Sequence, residues 1–385
     1  MHIVVHSQIA DICAKQWNKL LEDNNPFMRH EFLHGLENTG CVSQDTGWLV
    51  CHIGVYAQTS DTNENVLVGA VPCYLKSHSY GEYIFDWAWA NAYQSHGFDY
   101  YPKLSNAVPF TPATGERWLI ADTVDKQEVQ KLLIQAINDL AEEHKASSFH
   151  SLFLNKQQHD ALPNDQFLKR LSTQFHWQNK EYETFDDFLG LMNSKKRKNI
   201  KRERRRVLET GIEYEWLSGE QLNPEAVQTM YSFYQRTIRY YGAQSYLNRR
   251  FFDYLADSFN TQTLFLFARF QDQVIAGGLY FKSDNTLYGR YWGALNNFHS
   301  VHFETCYYQA IDWCIKNGYQ RFEAGAQGEH KLARGLEPNT TYSAHWIRHP
   351  DFKDAINRFL EQESAHINQY QNAMDKHSPF KKVEI

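Results

Sequence analysis

The chain has 385 residues, of which 42% are hydrophobic and 22% charged, and a formal net charge of −6. That length exceeds one ordinary core and predicts two domains; the composition excludes a disordered chain, and the acidic balance gives no global reason to bind nucleic acid. The six cysteines, at 13, 41, 51, 73, 306 and 314, form no Cys-x-x-Cys pair and read as free thiols in a reducing cytoplasm. No stretch reaches the ~18–20 apolar residues of a membrane span. The first ten residues lack the pattern of a signal peptide, so a cytoplasmic protein is expected.

The spacing of Ile12, Cys13, Gln16, Trp17 and Leu20 predicts a helix over Ile9–Glu22, stopped by Asn24-Asn25-Pro26. A second helix is predicted at His30–Asn38, ending at Gly40. Trp48–Tyr56 and Val66–Leu75 are β-rich runs that predict an antiparallel hairpin with a long polar tip at Thr59–Asn65. His78–Thr114 holds many Trp and Tyr residues, and Pro102, Pro109 and Pro112 break regular structure. Such a segment reads as an irregular aromatic wall of a binding site. Gln127–His144 is an amphipathic helix with Val129, Leu133, Ile137 and Leu140 inward, and Ser148–Leu154 is the next strand.

A domain boundary is expected near 185, giving domains 1–185 and 186–385. At the junction a basic helix, 194–210, is capped by Asn193 or Ser194. Residues 195–206 carry nine cations and one anion, a local net charge of +8 that leaves −14 on the rest of the chain. Lys195, Lys196, Arg197, Lys198, Lys201 and Arg202 are candidate contacts for a polyanion, or else a solvated face. Helices at Pro224–Arg239 and Asn248–Ser258 follow. Strands at Leu264–Phe270, Val274–Phe281 and Thr286–Gly293, a helix at His302–Asn317 and a strand at Arg321–Glu323 complete the pattern. Each half therefore reads helix, helix, strands, helix, strand, a mixed α/β chain with a repeat of element order.

The densest chemistry lies at 320–335. A short strand runs into a turn with Gly325 and Gly328, which delivers Gln327, Glu329, His330, Lys331 and Arg334 after Glu323. Glycines permit a tight backbone and close ligand approach. Glu323 and His330 are candidate proton acceptors; Lys331 and Arg334, three apart, are candidate grips for a phosphate or carboxylate. In the first half, Asp86 between aromatics is either a hydrogen-bond anchor or a ligand for a substrate amine. Glu82, Trp87, Trp89, Tyr93 and Lys103 are further candidates there. The segments 80–112 and 320–335 are expected to face one cavity, with Asp86 and Glu323 projecting into it. No metal site is expected.

Three segments carry a family likeness: His78–Leu104 with Val108–Thr114; Lys195–Val207; and Phe303–Pro338, with Phe303-Glu304-Thr305-Cys306-Tyr307-Tyr308-Gln309 and Gly325-Ala326-Gln327-Gly328-Glu329-His330-Lys331. They resemble the FemAB-like proteins of peptidoglycan biosynthesis/recognition, related to GNAT acyltransferases. The resemblance implies two tandem GNAT-like domains, each a mixed, mostly antiparallel sheet flanked by helices. It also implies transfer of an aminoacyl or acyl group to an amine of a small or peptide acceptor. The implied donor is an aminoacyl-tRNA or an acyl-CoA, with no cofactor tightly bound, and the basic run would suit a tRNA backbone. The segment Gly293–Val301, which matches the GNAT pyrophosphate loop, lacks Gly-x-Gly. The competing reading is a non-catalytic module that recognises a cell-wall peptide or a nucleic acid.

Overall fold

A computed structural model describes residues 1–58, 64–296, 300–326 and 328–381. Most of the hairpin tip, part of the segment matched to the pyrophosphate loop, and Gln327 lie outside the described residues. The chain forms two compact units, Met1–Ser172 with Thr340–Asn368, and Thr173–Asn339 with Gln369–Ile385. These differ from the two sequential halves expected around residue 185, because the chain returns to the first unit after building the second. Two contacts explain the return. Strand Glu337–Ile347 pairs antiparallel with Ser148–Leu154 through residues 342–347. The helix Pro350–Lys376 then buries Phe352, Ile356 and Leu360 against Trp89 and Tyr93.

In the first unit, β1 (His2–His6), β3 (His52–Gln58), β4 (Asn65–Val71) and β7 (Leu119–Ile120) form one sheet in the order β1-β3-β4-β7. A second run of strands is ordered β15 (Glu337–Ile347), β8 (Ser148–Leu154), β6 (Lys103–Asn106), β5 (Tyr74–Lys76), β2 (Trp48–Val50). The two long β-runs predicted as one hairpin are each split. Cys51 separates β2 from β3, and Pro72-Cys73 separates β4 from β5, so each run serves both sheets. Proline lacks the N–H that a continuous ladder needs. Strands β6 and β8 are parallel, joined through the helix Lys126–Glu143. That helix is capped by the Asp125 carboxylate, which accepts from the Gln127 and Glu128 amides, and it buries Val129, Leu133, Ile137 and Leu140 against Ile53, Val55 and Phe149. The predicted first helix is shorter than its apolar spacing suggests: Ile12 and Cys13 are extended, leaving a 3₁₀ turn at Ile9–Asp11 and a helix at Ala14–Lys19.

The second unit orders its strands β10 (Glu213–Ser218), β11 (Thr263–Phe270), β12 (Gln273–Lys282), β13 (Thr286–Ala294), β14 (Arg321–Glu323), then the end of β9 (Leu168–Gln178). The hairpin between β11 and β12 turns on Gln271 and Asp272, both left-handed at φ 49° and 63°. Two left-handed residues make the turn whose twist matches the strands it joins. Parallel β13 and β14 are linked by a helix that begins at Val301 and ends at Lys316. Both units thus contain the same β–helix–β parallel step. The helix Pro224–Tyr240 lies close on β13, where a Cβ at Gly293 would stand 2.3 Å from the Phe233 carbonyl oxygen.

Gly293→Ala is therefore expected to lower stability by about 1–3 kcal/mol, since a backbone oxygen cannot rotate aside. Gly289→Ala meets nothing nearer than 3.4 Å and should cost under about 1 kcal/mol. Denaturant midpoints of the two variants check the contrast.

Candidate active site

The parallel ladder between β13 and β14 lasts three rows, Thr286–Arg321, Leu287–Phe322 and Tyr288–Glu323, and then stops. Two features of the sequence stop it. On its other side β13 carries a bulge: Leu279 pairs with Tyr291 and Tyr280 with Gly289, so Arg290 is an extra residue. A bulge bends its strand and increases its twist. Strand β14 ends at Glu323, two residues before Gly325, which is left-handed at φ 76°. Beyond the last pair a cavity of about 150 Å³ is lined by Tyr280, Gly289, Arg290, Tyr291, Trp292, His302, Cys306, Tyr307 and Ala324. A larger cavity of about 470 Å³ shares Trp292 and His302 with it and adds Arg236, Tyr240 and Tyr241.

The helix that follows β13 is not regular. Its stretch Glu304–Tyr308 is wound as a π-turn, and the Tyr280 hydroxyl donates to the Thr305 carbonyl at 2.6 Å. π-Turns inserted in α-helices frequently mark functional sites. This one brings Cys306 and Tyr307 to the cavity wall. The Tyr307 hydroxyl is 2.8 Å from His330 Nε2. Burial, then the Arg334 and Lys331 charges, hold His330 below its ordinary pKa, so near neutrality the ring is uncharged and can accept a proton from the phenol in the tautomer with Nε2 bare. Burial, with the charges of His330, Arg334 and Lys331, pushes His302 down to about 4. Burial raises the Tyr307 phenol above its ordinary value, so it stays protonated. A neutral imidazole behind a protonated phenol at a cavity wall can take up a proton through that phenol.

The other residues of 320–335 are bound up in the turn itself. Gly328, at φ 110°, occupies backbone space that suits glycine, and a Cβ there would meet the His330 ring at 2.8 Å. Lys331 is buried, and its ammonium donates to the carbonyls of Gly325 at 2.8 Å and Ala326 at 3.3 Å; burial lowers its pKa to about 8. Arg334 stacks its guanidinium 3.4 Å from the Phe303 ring centre, donates to the His330 carbonyl and lies 3.5 Å from the Glu203 carboxylate. Lys331 and Arg334 thus shape the turn that presents His330 and do not stand as an open anion grip. Glu323 is buried beside Arg321, at 3.2 Å, and Glu329 accepts from the Tyr370 hydroxyl.

The first-unit candidates form a sealed polar core. Lys103 is buried and donates to Glu82 at 2.7 Å and to Asp86; Tyr100 donates to the same Asp86 oxygen at 2.6 Å. Burial pushes the Asp86 carboxyl up, but the Lys103 ammonium outweighs it and holds the group below the usual carboxylate range. Trp89 and Tyr93 are core residues of the helix Trp87–Ser95, Tyr93 stacking on Phe352 at 3.8 Å, while Trp87 is partly exposed against Tyr80. This helix was hidden in the sequence by its aromatic density. Neither Asp86 nor Glu323 lines either cavity above; each carboxylate is ion-paired within its own unit, Asp86 with Lys103 and Glu323 with Arg321. From Tyr100 the hydrogen bonds continue to His150 Nε2 (3.2 Å), from His150 Nδ1 to His345 Nδ1 (2.7 Å), and from His345 Nε2 to the Ser343 hydroxyl (2.9 Å). The Tyr100 proton goes to Asp86, and His150 Nε2 also faces the Ser148 hydroxyl at 2.8 Å. Burial pushes both rings well below the ordinary histidine range, His150 to about 3.

The basic helix runs Ser194–Glu209, with Asn193 as its cap and Ile200 and Val207 inward. Arg204 is consumed by Glu304 at 3.1 Å and Asp312 at 3.4 Å, and Lys201 pairs with Asp186 at 2.8 Å. Lys195 and Lys198 are exposed, as is Arg202; Lys196 and Arg197 are half-buried. Sequence reasoning overlooked Arg290, Trp292, His302 and Tyr307 as cavity residues. The one available signal was the aromatic and histidine density at 288–308, which reads equally well as core.

A short parallel β–helix–β step in each of two units built on mixed sheets, the ladder of the second splaying at a cavity, is the arrangement of a tandem GNAT-like fold. The chain belongs to the FemAB-like family, described as peptidoglycan biosynthesis/recognition, whose model matches residues 8–382. Among solved structures it is similar to FemX (TM-score 0.55, 11% identity, 93% of this chain and 100% of that one). It is also similar to the C-terminal domain of a putative lysylphosphatidylglycerol synthetase from Agrobacterium fabrum (0.53, 8%, 92% and 97%) and to L-PGS from Bacillus licheniformis (0.51, 8%, 88% and 98%). At such identities the likeness is one of fold. No curated protein matches the sequence. Among the described residues no helix is long and apolar enough to cross a membrane.

Two outcomes follow from the sealed core. Lys103→Met leaves the Asp86 and Glu82 carboxylates without their cation and is expected to destabilise the protein by about 3–5 kcal/mol, measured by chemical denaturation at neutral pH. Above pH 6.5 His150 and His345 are neutral whether folded or not. Below it the unfolded chain takes up protons that the folded rings, beside Lys103 and Arg170, refuse, His150 down to about pH 3. Stability should fall across that window by about 1.4 kcal/mol per pH unit for each ring. A denaturation series in His150→Asn, compared with the parent, should show a shallower acid slope.

Proposed function

We propose that the chain is an N-acyltransferase of Fem/GNAT type, transferring an aminoacyl or acyl group to the amine of a peptide or amino-acid-like acceptor. The observation that carries this reading is the Tyr307–His330 pair set by the π-turn at the wall of the cavity between β13 and β14. Membership of the FemAB-like family supports the class of chemistry. The amine nitrogen attacks the acyl carbon, and the tetrahedral oxyanion collapses with release of the donor's oxygen or sulfur. The nitrogen's proton passes through the Tyr307 hydroxyl to His330 and is returned to the leaving group. Lys331 keeps the turn carbonyls fixed so that His330 stays aligned. The donor is an aminoacyl-tRNA or an acyl-CoA; the cavity bearing Arg236, Tyr240 and Tyr241 adjoins the reacting site and offers flat surfaces and a cation for either one's nucleotide end.

Incubation with labelled aminoacyl-tRNA or acyl-CoA and a panel of peptide amines tests this. Transfer of label to an amine is expected, and retention of a peptide without transfer would favour the recognition module. Tyr307→Phe and His330→Gln should each lower kcat by about 10²-fold or more while leaving the melting temperature near the parent's. Parent-like turnover in both variants would remove the pair from the reaction.

A further inference from the structure

The basic helix borders a groove of about 860 Å³ lined wholly by residues of the second unit. One wall is the stripe Arg197, Lys201, Arg205 and Leu208; the floor is aliphatic, from Leu189, Val207 and Ile212. Residues 197, 201, 205 and 208 recur at helical spacing and so share one face. Lys195, Lys198 and Arg202 extend the charge around the exposed side, opposite the inward Ile200 and Val207. Lys195 and Lys198 have no acidic partner among the described residues, and the first turn carries no acid to offset cations at the positive end of the helix. Leu208 is 75% exposed within this cationic field, and Leu191, beyond the end of the helix Phe185–Gly190, is 47% exposed.

We propose that this face is a peripheral docking site for an anionic phospholipid surface. Charge is the first argument: the segment 195–206 is +8 on a chain whose remainder is −14, so an anionic plane attracts this face and repels the rest, which fixes orientation. The second argument separates a lipid surface from a single-stranded nucleic acid. Single strands are held by cations interleaved with open aromatic platforms. Here the groove's aromatics are Phe185 and Tyr214. Phe185 is buried and already covered by the Arg204 guanidinium at 4.1 Å, and Tyr214 is occupied by the Thr305 hydroxyl. The exposed apolar groups are leucines, which insert among acyl chains while lysine and arginine heads stay at the phosphates. The outer ion pairs, Lys201–Asp186 and Arg205–Glu209, involve half-exposed or exposed groups and exchange readily for lipid phosphates.

Co-sedimentation of the full chain with phosphatidylcholine vesicles, with and without phosphatidylglycerol, tests the proposal, with tRNA filter binding run in parallel. Retention is expected on the anionic vesicles alone. The triple variant Lys195→Gln/Lys198→Gln/Arg202→Gln should lose binding by about a hundredfold. Leu208→Ser should lose about five- to tenfold at unchanged charge. All these positions are solvent-facing, and circular dichroism checks that each variant folds. Absence of retention on anionic vesicles, equal retention on neutral ones, or an unchanged Leu208→Ser variant would overturn it. So would loss of tRNA binding in the triple variant with vesicle binding intact, which would make the face an RNA surface.

Discussion

The termination of one parallel ladder organises the second unit. Strands β13 and β14 hold together for three rows because Leu287 and Phe322 are buried in one apolar cluster. They separate because β13 must absorb an extra residue at Arg290 while β14 runs out at Glu323. Backbone groups that would continue the ladder are released at that point, and a sheet cannot leave such groups buried and unmatched without cost. The solution is an opening with walls supplied by neighbouring elements: Trp292 on the strand, His302 and the π-turn residues on the helix, and Ala324 at the strand exit. Each irregularity is a departure from regular hydrogen bonding, and all border the same small cavity.

The turn after β14 extends this logic. Lys331 ties its ammonium to two carbonyls of the loop that precedes it, and Arg334 braces the same turn against Phe303 and Glu203. Charged side chains here do the work of secondary structure, because the left-handed glycines at 325 and 328 leave carbonyls without strand or helix partners. What reaches outward from the braced turn is His330, held below its ordinary pKa by partial burial first and then by the Arg334 and Lys331 charges. Glu203 and Arg204 lie on the basic helix, so this helix holds the helix Val301–Lys316 and the 329–334 turn from its inner side while carrying most of its free charge on the outer one.

The first unit repeats the parallel β–helix–β step with an opposite outcome. Where its aromatic segment approaches β6 and β8, the space is filled by a buried lysine, two carboxylates, a tyrosine and two histidines in one hydrogen-bonded series. Buried charges persist only when paired and bonded, and this series meets that condition within its own unit. The consequence is a rigid polar core, with Trp89 and Tyr93 packed on the C-terminal helix as structural ballast.

The sequence alone determined the alternation of strands and helices, the extent of His30–Asn38, the extents of Lys126–Glu143 and the basic helix to within a residue, and the likeness to the FemAB-like family. These rest on local periodicity, caps and short motifs, which are properties of contiguous residues. It also singled out the 320–335 turn, because paired glycines and clustered charge are visible in one line of text. Tertiary structure decided which of those charges are free. Lys331, Arg334, Asp86 and Lys103 are consumed by partners as far as 21 residues away in the chain and more, as Arg334 is by Glu203. Only a folded chain shows whether a polar atom already has its hydrogen bond. Tertiary structure also decided that residues 340–368 belong with the first unit and that Arg290, His302 and Tyr307 border a cavity. A bulge, a π-turn and a returning strand are set by where neighbouring segments pack, and packing between distant segments leaves no periodic trace in either one.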